Sequence, residues 1–320
     1  MLRGTAERAL LELMISRGGE VMVGEAARAL GLAPGDVEAA AEGLRALGYL
    51  IERVPGPGYR LASFDDMERL SEVLGGLRTR IPYEARFVKY CESTQDLARE
   101  LAEAGAREGT VVIAGVQARG RGRLGRHWHS GEGGLWMTLV LRPELGAPQL
   151  LTLGAGLALA RSIRRALGIE AELKWPNDVL YGGKKLAGIL AEASAESGRV
   201  RYVLLGVGVN VNNEVPSELK GLATSLREAI GVPVPRTLVL KGFLEEFDEV
   251  YGLLAEGRGR EVLEGWAALS STIGRRVKVI LREGELEGIA RGLGDDGSLL
   301  VELPEGVTVS VNSGDVVHLR

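Results

Sequence analysis

Gly120-Arg121-Gly122-Arg123-Leu124-Gly125-Arg126, and later Lys174-Trp175-Pro176-Asn177-Asp178 running on to Lys184-Lys185-Leu186-Ala187-Gly188, are the stretches that decide what this chain folds into. Alternate glycines let a backbone approach a ligand closely and present its N–H groups, and the arginines between them are permanently charged planar donors. Together the two stretches describe a site that gathers phosphate and carboxylate charge. Alone, the Gly-Arg run has a plainer reading, a solvated basic loop or an RG-type nucleic-acid segment, and it lacks the Gly-Lys-Ser/Thr ending of a P-loop.

The 320 residues suffice for two or three domains, with a full core that needs neither disulfide nor metal. A charged content of 26%, a hydrophobic content of 45% and a net charge of -4 exclude a disordered or strongly basic chain, so general nucleic-acid affinity is not implied. One cysteine, Cys91, excludes an intramolecular disulfide and a cysteine-rich zinc site, and fits a cytoplasmic location. The histidines are scattered as His127, His129 and His318, which names no metal ligand set. Acids interrupt the start too early for a signal peptide, and no apolar run approaches a membrane span.

Residues 1–63 read as helix, helix, turn, helix, hairpin. Thr5 caps a first helix carrying Leu10, Leu11, Leu13, Met14 and Ile15; a second runs Glu25 to Leu30 and stops at Gly31. Asp36 caps a third, with Val37, Ala40, Ala41, Leu44 and Leu47 on one face, ended by Gly48. Tyr49-Leu50-Ile51 and Tyr59-Arg60-Leu61 flank the turn Pro55-Gly56-Pro57-Gly58, a pattern that resembles a winged helix-turn-helix. Its third helix carries Asp36, Glu38 and Glu42, with Arg45 only at the far end; residues 1–63 hold seven arginines against eight acids and no lysine. Carboxylates at a groove-facing end repel phosphate, so the residues favour a dimerisation or protein-contact module over a DNA reader.

Residues 64–80 read as a linker with a charged helix from Asp65 to about Leu77. In 81–271 helices and strands alternate without a clean Rossmann order. Strands are expected at 110–116, 135–141, 171–175, 185–193 and 201–209, and long helices at about 149–167 and 235–256, an α+β domain with a mixed sheet. Residues 272–320 break into five short strands with turn signals such as Asp295-Asp296-Gly297-Ser298, a small barrel of SH3-like pattern.

The ordered series Glu92-Ser93-Thr94-Gln95, Gln117 to Trp128, Lys174 to Asp178, Lys185 to Leu190, and Gly206-Val207-Gly208-Val209-Asn210-Val211-Asn212 closely resembles the biotin protein ligases. The winged helix in front and the barrel behind resemble their bifunctional ligase-repressor class, so the likeness spans nearly the whole chain. It implies a multidomain α+β protein whose central domain is of the class II synthetase type. It implies that ATP, with Mg2+, activates biotin to biotinyl-5′-AMP with release of pyrophosphate, and that biotin then passes to one lysine of a carboxylase's biotin carrier domain. A homodimer is the family expectation, and an exposed sheet edge offers a place for it or for the acceptor.

By the same resemblance Ser93, Thr94, Gln95 and Gln117 lie along the biotin pocket, with Gly188 and Gly206; Gln95 stands where the family more often has Asn. Ser93 also reads as the cap of a helix from Gln95 to about Ala104, with Asp96 three residues on. Gly120, Arg121, Gly122 and Arg123 form the loop that closes over biotin and its adenylate, and Arg126 reaches the nucleotide. Lys185 holds the biotin carboxylate and then the bridging oxygen, while Lys184 is a solvated neighbour. Arg121, Arg123 and Lys185 are the catalytic candidates, because a carboxylate attacking a phosphate brings like charges together. Lys174, Asn177 and Asn210 match positions near ATP and its magnesium, and no residue is named as a metal ligand. Asp178 orients Lys174, contacts magnesium, or takes a proton from the acceptor lysine. Gly206 and Gly208 leave room for ligand or simply pack. No Trp occurs near Ala223, where some members place an aromatic over the nucleotide.

Two rivals share parts of this pattern: a lipoate protein ligase, with the same adenylation chemistry, and a DNA-binding sensor of biotinyl-AMP with little ligase activity. The Gly-Arg loop, the Lys-Trp-Pro-Asn-Asp segment and the terminal barrel point away from the first, and the retained lysine and arginines from the second.

Overall fold

A computed structural model describes residues 5–64, 67–143, 149–197 and 199–319. The chain begins with α1 (Ala6–Arg17), β1 (Glu20–Met22), α2 (Val23–Leu30), α3 (Pro34–Ala46), β2 (Leu50–Val54) and β3 (Gly58–Ser63). Thr5 caps α1, its hydroxyl accepting from the Arg8 N–H at 3.4 Å. Gly31, at φ 66°, stops α2, the left-handed backbone that glycine adopts without strain. The third helix starts earlier than expected: Ala33 is its N-cap and Pro34 its first residue, and Asp36 instead accepts from the Ala33 N–H at 3.3 Å from the first turn. Leu10, Leu11, Met14, Ala26, Val37, Ala41 and Leu44 close one core, while Ile15, placed on that face by the sequence, is 41% exposed. β1 was not legible: it supplies a third strand in the antiparallel order β1-β3-β2.

The linker helix is shorter than expected. Asp65 and Asp66 lie outside the described residues; a 3-10 turn at Met67–Arg69 leads into α4 (Leu70–Gly75), which Gly75-Gly76 ends before Leu77.

The central domain holds β4 (Glu84–Cys91), α5 (Thr94–Glu103), β5 (Thr110–Gln117), β6 (Leu135–Leu141), α6 (Gln149–Leu167), β7 (Glu172–Lys174), β8 (Asp178–Tyr181), β9 (Lys184–Glu196), β10 (Arg199–Val209), α7 (Leu226–Ile230), α8 (Arg236–Ala255) and α9 (Gly259–Ala268). Its strands form a mixed sheet in the order β4-β5-β6-β10-β9-β8-β7, with β4 and β5 parallel and the remaining pairs antiparallel. α6 packs against α8 and α9. The sheet residues Val111, Ile113, Met137, Leu139, Leu205 and Val207 share the same core with Leu159, Phe243, Phe247 and Trp266 of those helices. Alternate residues Val112, Val140 and Leu204 face the other way and pack with Ala98 and Ala102 of α5, as the period of two along a strand requires. β4 and β8 were not separately legible: β4 mixes half-buried and exposed positions without strict alternation, with only Cys91 buried, and β8 is only four residues long.

The last segment is an antiparallel sheet of β11 (Arg276–Ile280), β12 (Glu285–Leu293), β13 (Leu299–Glu302), β14 (Thr308–Val311) and β15 (Asp315–His318), in the order β14-β13-β12-β11-β15. It is fastened to the central domain through Trp175, whose indole donates to the Gly297 carbonyl at 3.1 Å and whose backbone N–H donates to Thr272 Oγ1 at 3.2 Å. Among the described residues no helix is long and apolar enough to cross a membrane.

Candidate active site

β10 crosses the floor of a cavity of about 540 Å3, presenting Gly206, Gly208 and then Asn210 to it at alternate positions. Its neighbours in register are Thr138 and Leu190 at Gly206, and Trp136 and Gly188 at Gly208. The lining also includes Arg121, Arg123, Arg126, Lys174 and Lys185, five cations against the two carboxylates Asp178 and Asp315.

A hydrogen-bond chain along the cavity fixes two expected residues, Thr94 and Gln117. The Thr94 N–H and hydroxyl both donate to Gln117 Oε1, at 2.8 and 3.0 Å, and Thr138 lies 2.8 Å from Thr94 Oγ1. Since the Thr94 proton goes to Gln117, Thr138 is the donor to Thr94. Gln117 Nε2 donates to Ser130 Oγ at 2.8 Å. Ser93 is the N-cap of α5, accepting from the Gln95 N–H at 3.3 Å, and it also lines the cavity. Gln95 is 4% exposed; its Nε2 donates weakly to the Leu190 carbonyl at 3.4 Å, while its Oε1 has no partner among the described residues. A buried acceptor left open costs about 1–3 kcal/mol, which an N–H brought into the cavity would relieve.

The Gly-Arg segment is a tightly cross-braced loop. The Trp128 N–H donates to the Gly120 carbonyl at 2.8 Å, and a Cβ on Gly120 would stand 2.3 Å from the Trp128 carbonyl oxygen. Gly120 does not line the cavity; its lack of a side chain lets the two limbs of the loop cross. Gly122 lines the cavity, and its N–H donates to the Arg126 carbonyl at 2.8 Å. Arg121 pairs with Asp96 Oδ1 at 2.5 Å, an oxygen it shares with Arg99 at 3.3 Å. Arg123 donates to the Gly314 carbonyl at 3.1 Å, and Arg126 to Asp315 Oδ1 at 2.7 Å, so the loop is tied at its far side to the C-terminal sheet. Burial draws the Arg123 guanidinium down from its ordinary value, and Asp315 opposes that shift.

Trp128, not singled out by the sequence reading, is the centrepiece of the site. Its indole fills the space that Gly188 and Gly208 leave: a Cβ would fall 3.0 Å from the ring at Gly188 and 2.7 Å from Nε1 at Gly208. Gly206 makes the corresponding room for the Gln95 amide. In this structure, therefore, those glycines accommodate protein side chains. The only sequence signal for Trp128 is a large aromatic inside a basic, glycine-rich loop.

Lys185 Nζ stands 5.1 Å from the centre of the Trp128 ring and 2.6 Å from Asp178 Oδ1. Lys184, the next residue on the strand, is exposed and outside the cavity, because neighbours on a strand face opposite ways. Lys174 and Asp178 are register partners across the hairpin turn Trp175-Pro176-Asn177. Burial lowers the Lys174 ammonium from its ordinary value; Asp178 opposes this and Lys185 adds to it. Asp178 thus faces two lysines, and its direct ion pair is with Lys185. Asn177 donates to the Ile189 carbonyl at 2.9 Å, and Asn210 accepts from Asn213 Nδ2 at 3.1 Å. Asp315, Val316, Val317 and Ile280 extend the cavity wall from the C-terminal sheet, a contribution that only tertiary packing reveals. No group of three or more His, Cys, Asp or Glu residues able to hold a metal occurs among the described residues.

Residues 87–210 match the Biotin/lipoate A/B protein ligase family, and residues 272–319 match the Biotin protein ligase C terminal domain. The chain is 39% identical over 324 residues to the Bifunctional ligase/repressor BirA of Bacillus subtilis (strain 168), covering 98% of this chain and 99% of that one. It is 38% identical over 234 residues to the Biotin--[acetyl-CoA-carboxylase] ligase of Mycobacterium tuberculosis, covering 70% and 85% of the two chains. Among solved structures, the biotin protein ligase from Aquifex aeolicus in complex with biotin and ATP superposes with a TM-score of 0.66 at 33% identity, over 74% of this chain and 99% of that one. With a full-length relative at this identity, the chain belongs to the biotin protein ligase family.

Proposed function

We propose that this protein is a biotin protein ligase: it joins biotin to ATP, forming biotinyl-5′-AMP and pyrophosphate, and transfers the biotinyl group to a lysine of a carboxylase's biotin carrier domain, releasing AMP. The observation that carries the reading is that one cavity brings together an open buried acceptor on Gln95 and five cations. A ureido N–H suits the first, and a carboxylate followed by a triphosphate suits the second.

In this reading Lys185 holds the biotin carboxylate beside the α-phosphate. Two unit charges about 4 Å apart interact by about 4 kcal/mol at an effective dielectric of 20, so a lysine and arginines at that point lower the barrier substantially. Asp178, 2.6 Å from Lys185 Nζ, keeps the ammonium aimed until the carboxylate arrives. Arg121 and Arg123 cover the mixed anhydride, which water would otherwise hydrolyse, and Arg126, Lys174, Asn177 and Asn210 lie on the nucleotide side. Ser93, Thr94 and Gln117 shape the biotin end, with Gly122, Gly188 and Gly206 along its walls; Gly120 acts through the loop's crossing. Magnesium would come with ATP, and Asp178 and Asp315, the carboxylates that line the cavity, would be the side chains to join the phosphate oxygens around it and offset their charge.

Lipoate ligation is the near alternative, since the first family match covers both chemistries. The separate match of residues 272–319 and the ligases named above favour biotin. We read residues 1–63 as a winged helix-turn-helix and 272–320 as an SH3-like barrel, joined through a linker at 64–80 to the catalytic domain at 81–271, and the assembly as a homodimer. Relatives named bifunctional ligase/repressor favour a regulatory role for the first module. Against strong DNA affinity, Arg8, Arg17, Arg45, Arg53 and Arg60 each pair with a glutamate, and α3 exposes Asp36, Glu38 and Glu42.

Mass spectrometry after incubation with Mg2+, ATP and either biotin or lipoate tests the ligase reading: retained biotinyl-AMP supports it, and lipoyl-AMP alone moves the assignment to the sister chemistry. Titration of duplex from the protein's own promoter region, with and without biotinyl-AMP at defined salt, tests the regulatory role. Absence of salt-sensitive specific binding in both states removes it.

A further inference from the structure

Asn212 lies beside the cavity without lining it. Its side chain closes a two-bond ring with the backbone of Val234: the Val234 N–H donates to Asn212 Oδ1 at 2.8 Å, and Asn212 Nδ2 donates to the Val234 carbonyl at 2.7 Å. The Asn212 backbone N–H donates to the Gly133 carbonyl at 2.9 Å. Gly133, at φ 90°, approaches so closely that a Cβ there would fall 3.0 Å from the Asn212 carbonyl carbon and 3.0 Å from the Asn213 nitrogen. Arg236 donates to the Gly134 carbonyl at 3.2 Å, fastening the same point again. One residue thus joins the start of the 210–216 loop, the end of the loop that carries the Gly-Arg run, and the segment leading into α8.

That segment is also the seat of the N-terminal module. The Tyr49 hydroxyl donates to the Pro233 carbonyl at 2.7 Å, and Tyr49 is 2% exposed. Next to it, a Cβ on Gly48 would meet Thr237 Oγ1 at 3.1 Å, so the two surfaces are in close packing. Val232 and Val234 are buried on either side of Pro233, leaving the segment little freedom of its own. Adjacent residues therefore hold the N-terminal module and the cavity loops.

We infer that Asn212 is a positioning residue for the reaction, and that through Val234, Pro233 and Tyr49 the N-terminal module holds both cavity loops in their working arrangement. Where Asn212 merely tidied an irregular loop, losing Tyr49's hydroxyl would leave the cavity loops untouched. In the shared arrangement, loosening either end loosens the other. The inference rests on the ligase reading for its kinetic consequence alone.

The test uses the full chain and its Asn212→Ala, Asn212→Asp, Tyr49→Phe and Asn212→Ala/Tyr49→Phe variants. Hydrogen–deuterium exchange is followed in peptides covering 44–52, 128–136 and 208–216, and biotinyl-AMP synthesis is followed for KM and kcat. Tyr49→Phe is expected to speed exchange in 208–216 and raise KM for ATP about threefold, with kcat within about twofold. Asn212→Ala is expected to speed exchange in 44–52 and raise KM for ATP about tenfold; Asn212→Asp, which keeps the acceptor for Val234, falls between it and the parent. The double variant should be no worse than Asn212→Ala, because both act on one arrangement. Parent-like exchange at 208–216 in Tyr49→Phe, or multiplicative effects in the double variant, overturns the inference. Should the parent form no acyl-adenylate with biotin, the ligase reading fails, and the reciprocal exchange changes alone decide this one.

Discussion

Asp315 clasps Arg126: its Oδ1 accepts from the guanidinium at 2.7 Å and stands 3.8 Å from Arg123 of the same loop. The carboxylate belongs to the C-terminal sheet and both arginines to the central domain, so the loop over the cavity is held by a neighbouring domain's charge. Partly exposed ion pairs are worth up to about 1 kcal/mol, a factor of roughly five. Asp315→Asn should therefore release biotinyl-AMP about two- to fivefold faster, read as loss of radiolabelled adenylate on rapid gel filtration. The same release rate as the parent would show that the clasp does not govern closure.

Arg121→Gly and Arg123→Gly remove the loop's other tethers, to Asp96 and to the Gly314 carbonyl. Each is expected to shed adenylate about tenfold faster or more and to biotinylate bystander lysines, measured with added serum albumin. Adenylate retention at the parent level without off-target biotin would count against a covering role.

Lys185 and Lys184 are consecutive on β9 but face opposite ways. Lys185→Ala should depress biotinyl-AMP synthesis by about a thousandfold, the scale of losing a preorganised charge at a reacting centre, and Lys184→Ala should stay within about twofold. Pyrophosphate-exchange rates give both numbers, and the reverse order would transfer the assignment.

Burial, with Lys174 and Arg275 nearby, pushes the His318 imidazole down to about 4 from 6.5. The folded state therefore keeps the ring neutral where the unfolded chain protonates it. Below pH 6.5 the unfolded state binds the extra proton, so this contribution to stability falls as pH drops and is fully lost once pH passes through about 4. His318→Gln should flatten the acid limb of the unfolding midpoint against pH, by calorimetry between pH 7 and 4. An unchanged limb would mean that other groups set it.

Much of the fold was legible because its cues are local. Gly31 ends a helix by its own backbone preference, Thr5 and Ser93 cap helices with their own hydroxyls, and Leu135 to Leu141 is an apolar run of strand length. Strands without such marks escaped: β1 forms only because β3 returns beside it, and β4 is half exposed, with its partner β5 lying beyond α5. The site divides in the same way. The Gly-Arg loop could be named from residue type and order, and the lysine before Leu-Ala-Gly from the family resemblance.

The sequence by itself determined the kind of chemistry, since guanidinium, ammonium and glycine carry their charge and backbone freedom wherever they are placed, and it determined which family the ordered motifs belong to. Tertiary structure alone decided which partners they keep: that Trp128 fills the space over Gly188 and Gly208, that Asp178 pairs with Lys185, and that Asp315 reaches the loop from another domain. Such pairings depend on distances of a few ångströms between residues far apart in the chain. Hydrophobic burial and strand register set those distances for the molecule as a whole, and no local pattern encodes them.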